Sequence, residues 1–114
     1  MFYYLVPDNE SQDHEVAALK RVCHRNQASC FMKLGRMKEA LKEVEMALRE
    51  KTSLLDGKSL LRRAQIQKEL GEYESADSEA KKLLEAVKDE GVEILDIKDR
   101  TEFKGSVQQL IVEI

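Results

Sequence analysis

The chain has no tryptophan, one proline, five glycines and two cysteines in 114 residues, and aromatics make up only 5% of it. Each scarcity excludes something. So little proline and glycine leaves few of the turn signals that a many-stranded β-fold needs at its hairpins. Two cysteines cannot build the disulfide framework of a small secreted domain. The opening MFYYLV is too short for a signal peptide and has no basic start. No apolar run approaches the length of a membrane span. A cytoplasmic protein with reduced thiols at Cys23 and Cys30 is therefore expected.

What is present is a helix former's alphabet, with 36% charged and 42% apolar residues. That is enough apolar material for one modest core, and it argues against disorder. Motifs for chemistry are missing: no HExxH, no glycine-rich phosphate loop, no nucleophile elbow and no CxxC. Cys23 and Cys30 lie seven apart on one predicted helix, with His24 beside the first. No further ligand stands at metal spacing, so neither a metal nor a cofactor is expected, and both cysteines read as small buried hydrophobes. Cys23 and His24 diverge by about 100° around a helix and cannot work as a pair. His14 reads as a solvated loop residue and His24 as a packed helical one. No enzyme is expected.

Self-similarity is the informative signal. A shift of 36 residues lays Ala28 on Ala64, Leu34 on Leu70, Gly35 on Gly71, Ala40 on Ala76, Glu43 on Glu79 and Leu48 on Leu84. The strings LGRMKEA and LGEYESA occupy equivalent places. Residues 20–34 and 58–70 contain no proline or glycine and predict helices, each ended by a glycine suited to the left-handed closing position. A second helix follows each, over 37–50 and 73–88. Met37, Ala40, Leu41, Val44, Ala47 and Leu48 have helical spacing in the first copy. Tyr73, Ala76, Ala80, Leu83, Leu84 and Val87 have it in the second. The pattern predicts an all-α fold of stacked antiparallel helix pairs, with small alanines at 28, 40, 64 and 76 allowing close approach.

These residues resemble the tetratricopeptide-repeat (TPR) family. RNQASCFMKLGRMKEALKEVEMAL carries the family's small positions at Ala28, Gly35, Ala40 and Ala47, with Phe31 at an aromatic position. LLRRAQIQKELGEYESADSEAKKLL carries Ala64, Leu70, Gly71, Tyr73 and Ala76. The period is 36 rather than 34, and Thr52 and Lys88 stand near the places of the family's closing proline. The two additional residues are assigned to the Thr52–Gly57 turn. The resemblance implies a single domain across 1–114, a TPR α-solenoid of two repeats, 20–51 and 57–90, with a capping helix over 96–114. Residues 1–19 read as the remnant of a preceding repeat and a helix start. Gly105 is expected to weaken the capping helix, and a short strand at QLIVEI competes with it. Two repeats leave end faces unburied, so a further repeat, a cap or self-association is required.

Charge is segregated by helix. Residues 20–36 hold five basic side chains and no acidic one; residues 58–70 hold four against Glu69. The two first helices thus carry nine positive charges and one negative, a net +8. The chain total of −3 leaves −11 for everything else. Asn26 and Arg62 are 36 apart and should lie side by side, with Lys58 one turn before Arg62. An amide, an ammonium and a guanidinium there could donate several hydrogen bonds to carboxylates.

The resemblance gives this trio a meaning. Asn26, Lys58 and Arg62 match three positions of the dicarboxylate clamp of chaperone-binding TPR domains, like those of FKBP-type and cyclophilin-type co-chaperones. It implies a protein-binding module for acidic C-terminal EEVD tails of the seventy- and ninety-kilodalton heat-shock chaperones, with the first helices lining a concave groove. The clamp's other lysine and asparagine belong to a repeat with no counterpart in 20–90. The alternative is a TPR scaffold or assembly subunit that uses another face, or pairs with itself as a homo-oligomer. Nucleic acid is not an expected partner, since stacking aromatics are few and the remainder is acidic. Nor is a membrane.

Overall fold

The computed structural model describes residues 10–114, with side chains from Asp13 onward. The fold is all-α: α1 (Glu10–Lys33), α2 (Met37–Arg49), α3 (Gly57–Glu69), α4 (Tyr73–Lys88) and α5 (Arg100–Glu113). No strand occurs among the described residues, only an isolated parallel bridge between Leu55 and Ile94. Helices pack in chain order, α1 on α2, α2 on α3, α3 on α4 and α4 on α5.

The two tight connections have one chemistry. Gly35 and Gly71 take φ of +76° and +83°. At the first, Gly35 N–H donates to Met32 O (3.0 Å) and Arg36 N–H to Phe31 O (2.8 Å). At the second, Gly71 N–H donates to Lys68 O (3.0 Å) and Glu72 N–H to Gln67 O (2.8 Å). Both are Schellman caps that satisfy the helix's last carbonyls and turn the chain back at once. Ala28, Ala40, Ala64 and Ala76 are fully buried. With no side chain beyond Cβ, they let the paired helices approach closely.

Apolar packing forms two main groups. Ala28, Ala40, Val44 and Ile66 join α1, α2 and α3, with Phe31, Met32 and Leu41 against them. Leu83, Val87, Phe103 and Val107 join α4 to α5, and Leu55, Leu60, Ile94 and Ile97 close over them. Burying side chains of this size contributes about 1.5–3 kcal/mol each. Ala64, Ala80 and Leu110 continue the seam where α5 meets α3 and α4.

Several expectations need correction. Residues 10–19 are continuous with α1, so the first helix is 24 residues long; the expectation for residues 1–9 lies outside the described residues. The last helix starts at Arg100, not 96, because Asp99 caps it, accepting from Glu102 N–H at 3.1 Å. Residues 93–96 instead return to the α2–α3 connection, where Leu55 N–H donates to Glu93 O (3.1 Å) and Leu95 N–H to Leu55 O (2.7 Å). QLIVEI is helical, and α5 runs through Gly105 without a break. Val107 and Leu110 bury there at helical spacing, which overrides local β propensity. Cys23 and Cys30 are exposed, not buried. The edge of α1 that packs inward carries Ala17, Arg21 and Ala28 instead. Tyr73 and Leu34 are also exposed, at 57% and 68%.

Candidate functional site

An open groove of about 870 Å³ runs between α1 and α3, closed at one end by the α4–α5 connection and Phe103. Val22, Arg25, Asn26 and Ser29 come from α1, at one-turn spacing along its face. Lys58, Leu61, Arg62 and Gln65 come from α3 in the same way. Ile94, Asp96, Ile97 and Lys98 come from the connection. Asn26, Lys58 and Arg62 therefore line one groove.

Arg62 is half-buried. Its Nη1 sits 3.8 Å from the Met32 sulfur, and burial, reinforced by the positive charge of Arg25, pulls its pKa below the ordinary arginine value. Both effects make the charged form less comfortable. Among the described residues neither Arg62 nor Lys58 forms a salt bridge. An anion entering the groove would relieve Arg62 of repulsion and lost hydration together.

Arg25 is the residue that sequence reasoning missed. Its Nη2 donates to Asp96 Oδ2 at 3.2 Å, and its Nη1 lies 3.6 Å from Asp56 Oδ1. Asp56 is buried at the start of α3, where the same Oδ1 accepts from Ser59 N–H at 3.2 Å. That carboxylate serves as helix cap and as counter-charge at once. Nη1 of Arg25 is buried without a hydrogen-bond partner. Four cations, Arg25, Lys58, Arg62 and Lys98, thus share the groove with one carboxylate, Asp96. No pairing rule reaches across the sequence from Arg25 to Asp96; the only signal was the basic run itself.

Not all of the basic residues counted in the net +8 of the first helices reach the groove. Arg21 is buried. Arg63 pairs with Glu79 of α4, Arg36 with Glu39 of α2, and Lys68 with Glu113 of α5 at 3.1 Å. The Arg63 and Lys68 pairs tie helices together, while the exposed Arg36 pair is local to the start of α2. With Asp56 and Asp96 both set against Arg25, the groove retains an excess of two positive charges, smaller than the sequence sum but concentrated.

Val22, Leu61, Ile94, Ile97 and Phe103 give the groove an apolar wall beside its cations. Such a surface suits a short extended peptide that offers carboxylates and an aliphatic side chain together. His24 does not face it: its Nδ1 is 2.8 Å from Glu43 Oε1 of α2. Among the described residues no cluster of three metal-ligating side chains occurs, and no helix is long and apolar enough to cross a membrane. No family model matches the chain, and neither a curated protein nor a solved structure does.

Proposed function

We propose that this chain is a TPR-type interaction module whose groove binds acidic peptides through their free C-terminal carboxylate. The helix pairs α1–α2 and α3–α4, each closed by a glycine cap, are its two repeats, and α5 is the capping helix. One observation carries the reading: a half-buried Arg62 without a carboxylate partner shares a groove with Asn26, Lys58 and Arg25. Lys58 and Arg62 supply charge, Arg62 a planar fork, and Asn26 a neutral amide donor. Binding would be reversible recognition, with no covalent chemistry and no cofactor. The partner class that fits is the EEVD-type tail of cytoplasmic heat-shock chaperones of the 70- or 90-kDa class, which makes the protein co-chaperone-like.

The test is calorimetric titration with an acetylated peptide ending in MEEVD, beside the same peptide amidated at its C-terminus. Binding that disappears on amidation supports the reading, because only the terminal carboxylate has been removed. Equal binding of both peptides would leave the groove reading acidity alone. Binding of neither would set aside the chaperone-tail reading in favour of a scaffold.

A further inference from the structure

A second surface of α1 borders the groove along its Val22–Asn26 edge and has no partner among the described residues. At about 100° per residue, Val16, Leu19, Cys23, Gln27, Cys30 and Leu34 fall within an arc of about 80°. All six are exposed, Leu19 and Leu34 at 68% each. No charge interrupts the stripe, and it faces away from the edge that buries Ala17, Arg21 and Ala28 against the rest of the protein. Apolar residues at spacings of three and four on an exposed helix form a seam of the kind that pairs with another helix.

The charges beside the stripe indicate which helix. Glu15 and Lys33 are both exposed, and among the described residues neither forms a salt bridge. They lie 18 positions apart, five full turns, so they flank the stripe on the same side, about 27 Å from each other. Asp13 adds a second acidic group at the first end, and Lys20 a basic one toward the middle. A second α1 laid antiparallel, with its twofold axis near His24, brings Glu15 of each copy to Lys33 of the other. The same operation sets Val16 and Leu19 against the Cys30–Leu34 end of the opposing stripe. Parallel twofold pairing would instead bring the Glu15 flank of one copy against the opposite flank of the other, setting Glu15 beside Asp13 and leaving Lys33 with no acidic group of α1 to meet. The stripe is self-complementary in one direction only, as a twofold interface requires.

We propose that this stripe is a homodimer interface, in which two copies of the chain pair antiparallel along α1 and exchange Glu15–Lys33 contacts. One helix face per copy buries less than the roughly 1,200 Å² that marks the lower edge of stable complexes, so the dimer is weak and concentration-dependent.

Sedimentation equilibrium in reducing buffer, from about 10 μM to about 1 mM, tests it. That range brackets a weak interface of this size. The wild-type chain should shift from monomer toward dimer across it. Leu19→Lys removes a side chain already exposed in the monomer and should abolish the shift while leaving the helical circular dichroism unchanged. Glu15→Lys should weaken the dimer about tenfold, because twofold symmetry turns two attractions into two repulsions. The double variant Glu15→Lys, Lys33→Glu should recover most of that loss. A chain that remains monomeric at the highest concentration overturns the proposal. So does a dimer that Leu19→Lys does not affect, or a double reversal no better than the single one.

Discussion

Arg25 and Asp96, 71 positions apart in sequence, meet across the mouth of the groove, with Nη2 donating to Oδ2 at 3.2 Å. Asp96 reaches this place from a connection held to Leu55 by two backbone hydrogen bonds. It also adopts φ of +58°, a left-handed conformation that aspartate and asparagine tolerate better than most residues. The groove therefore contains a carboxylate of its own, in the place an acidic ligand would use.

Asp96→Asn keeps the residue's tolerance for that backbone and removes the charge. Partly exposed ion pairs are worth at most about 1 kcal/mol, so freeing Arg25 should strengthen binding of the MEEVD peptide by up to about fivefold. Calorimetry on the variant reads this directly. An unchanged or lower affinity would mean that Asp96 orients Arg25 for the ligand instead of competing with it.

Arg62→Ala should act in the opposite direction. The side chain is half-buried and unpaired among the described residues, so an incoming carboxylate would make a partly desolvated pair with it. Removing one partner of such a pair costs about 2 kcal/mol or more, roughly a thirtyfold loss of peptide affinity. Arg62→Lys should recover only part of it, since an ammonium lacks the planar fork. Full affinity in a folded Arg62→Ala variant would exclude the clamp.

Local chemistry was readable in the sequence and tertiary chemistry was not. The glycine caps at 35 and 71, the buried alanines and the start of α2 followed from spacing and from what each residue's backbone permits. Asn26, Lys58 and Arg62 could be placed on one face because Lys58 and Arg62 are one turn apart on one helix and the 36-residue repeat sets Asn26 at the place equivalent to Arg62. Arg25 could not be picked out of the basic run, because its partners, Asp56 and Asp96, come from a helix cap and a loop distant in sequence. The cysteines were misjudged because their size suits burial, whereas their exposure depends on which edge of α1 meets α2. The connection over residues 93–99 had no periodic pattern to read. Its path is set by the pairing of Leu55 with Glu93 and Leu95 and by the close approach to Gly57, where an added Cβ would come within 2.9 Å of Ile94 Cγ2.

Three glycines provide a test of the backbone argument. Gly35 and Gly71 have positive φ and nothing within 4 Å of an added Cβ, so alanine there meets no clash and only a conformational cost. That cost is about 1–2 kcal/mol each. Gly105 lies inside α5 with equally open surroundings, and alanine there should stabilise the protein by about 0.5–1 kcal/mol. Thermal unfolding should therefore lower the midpoint for Gly35→Ala and Gly71→Ala and raise it for Gly105→Ala. The same direction of change at all three sites would show that backbone conformation does not decide their cost.

Arg100 holds the end of α4 and the start of the connection together. Its guanidinium donates to Val87 O through Nε (3.1 Å) and Nη2 (2.9 Å), to Asp89 O (2.6 Å), to Val92 O (2.6 Å) and, more weakly, to Ala86 O (3.3 Å). Ala86 and Val87 belong to the last turn of α4 and Asp89 and Val92 to the connection, and a cation is favoured beside the C-terminus of a helix. Hydrogen bonds from a charged donor contribute about 1.5–3 kcal/mol, so Arg100→Met should destabilise the protein by at least about 2 kcal/mol. For a domain of this size the melting midpoint should fall on the order of 10 °C. Arg100→Lys should recover little, since one ammonium cannot span four carbonyls. Because residues 93–99 carry Asp96 to Arg25, peptide affinity should change as well, even though Arg100 lies outside the groove. A lowered midpoint with unchanged peptide binding would mean that the Leu55 pairing alone positions the connection.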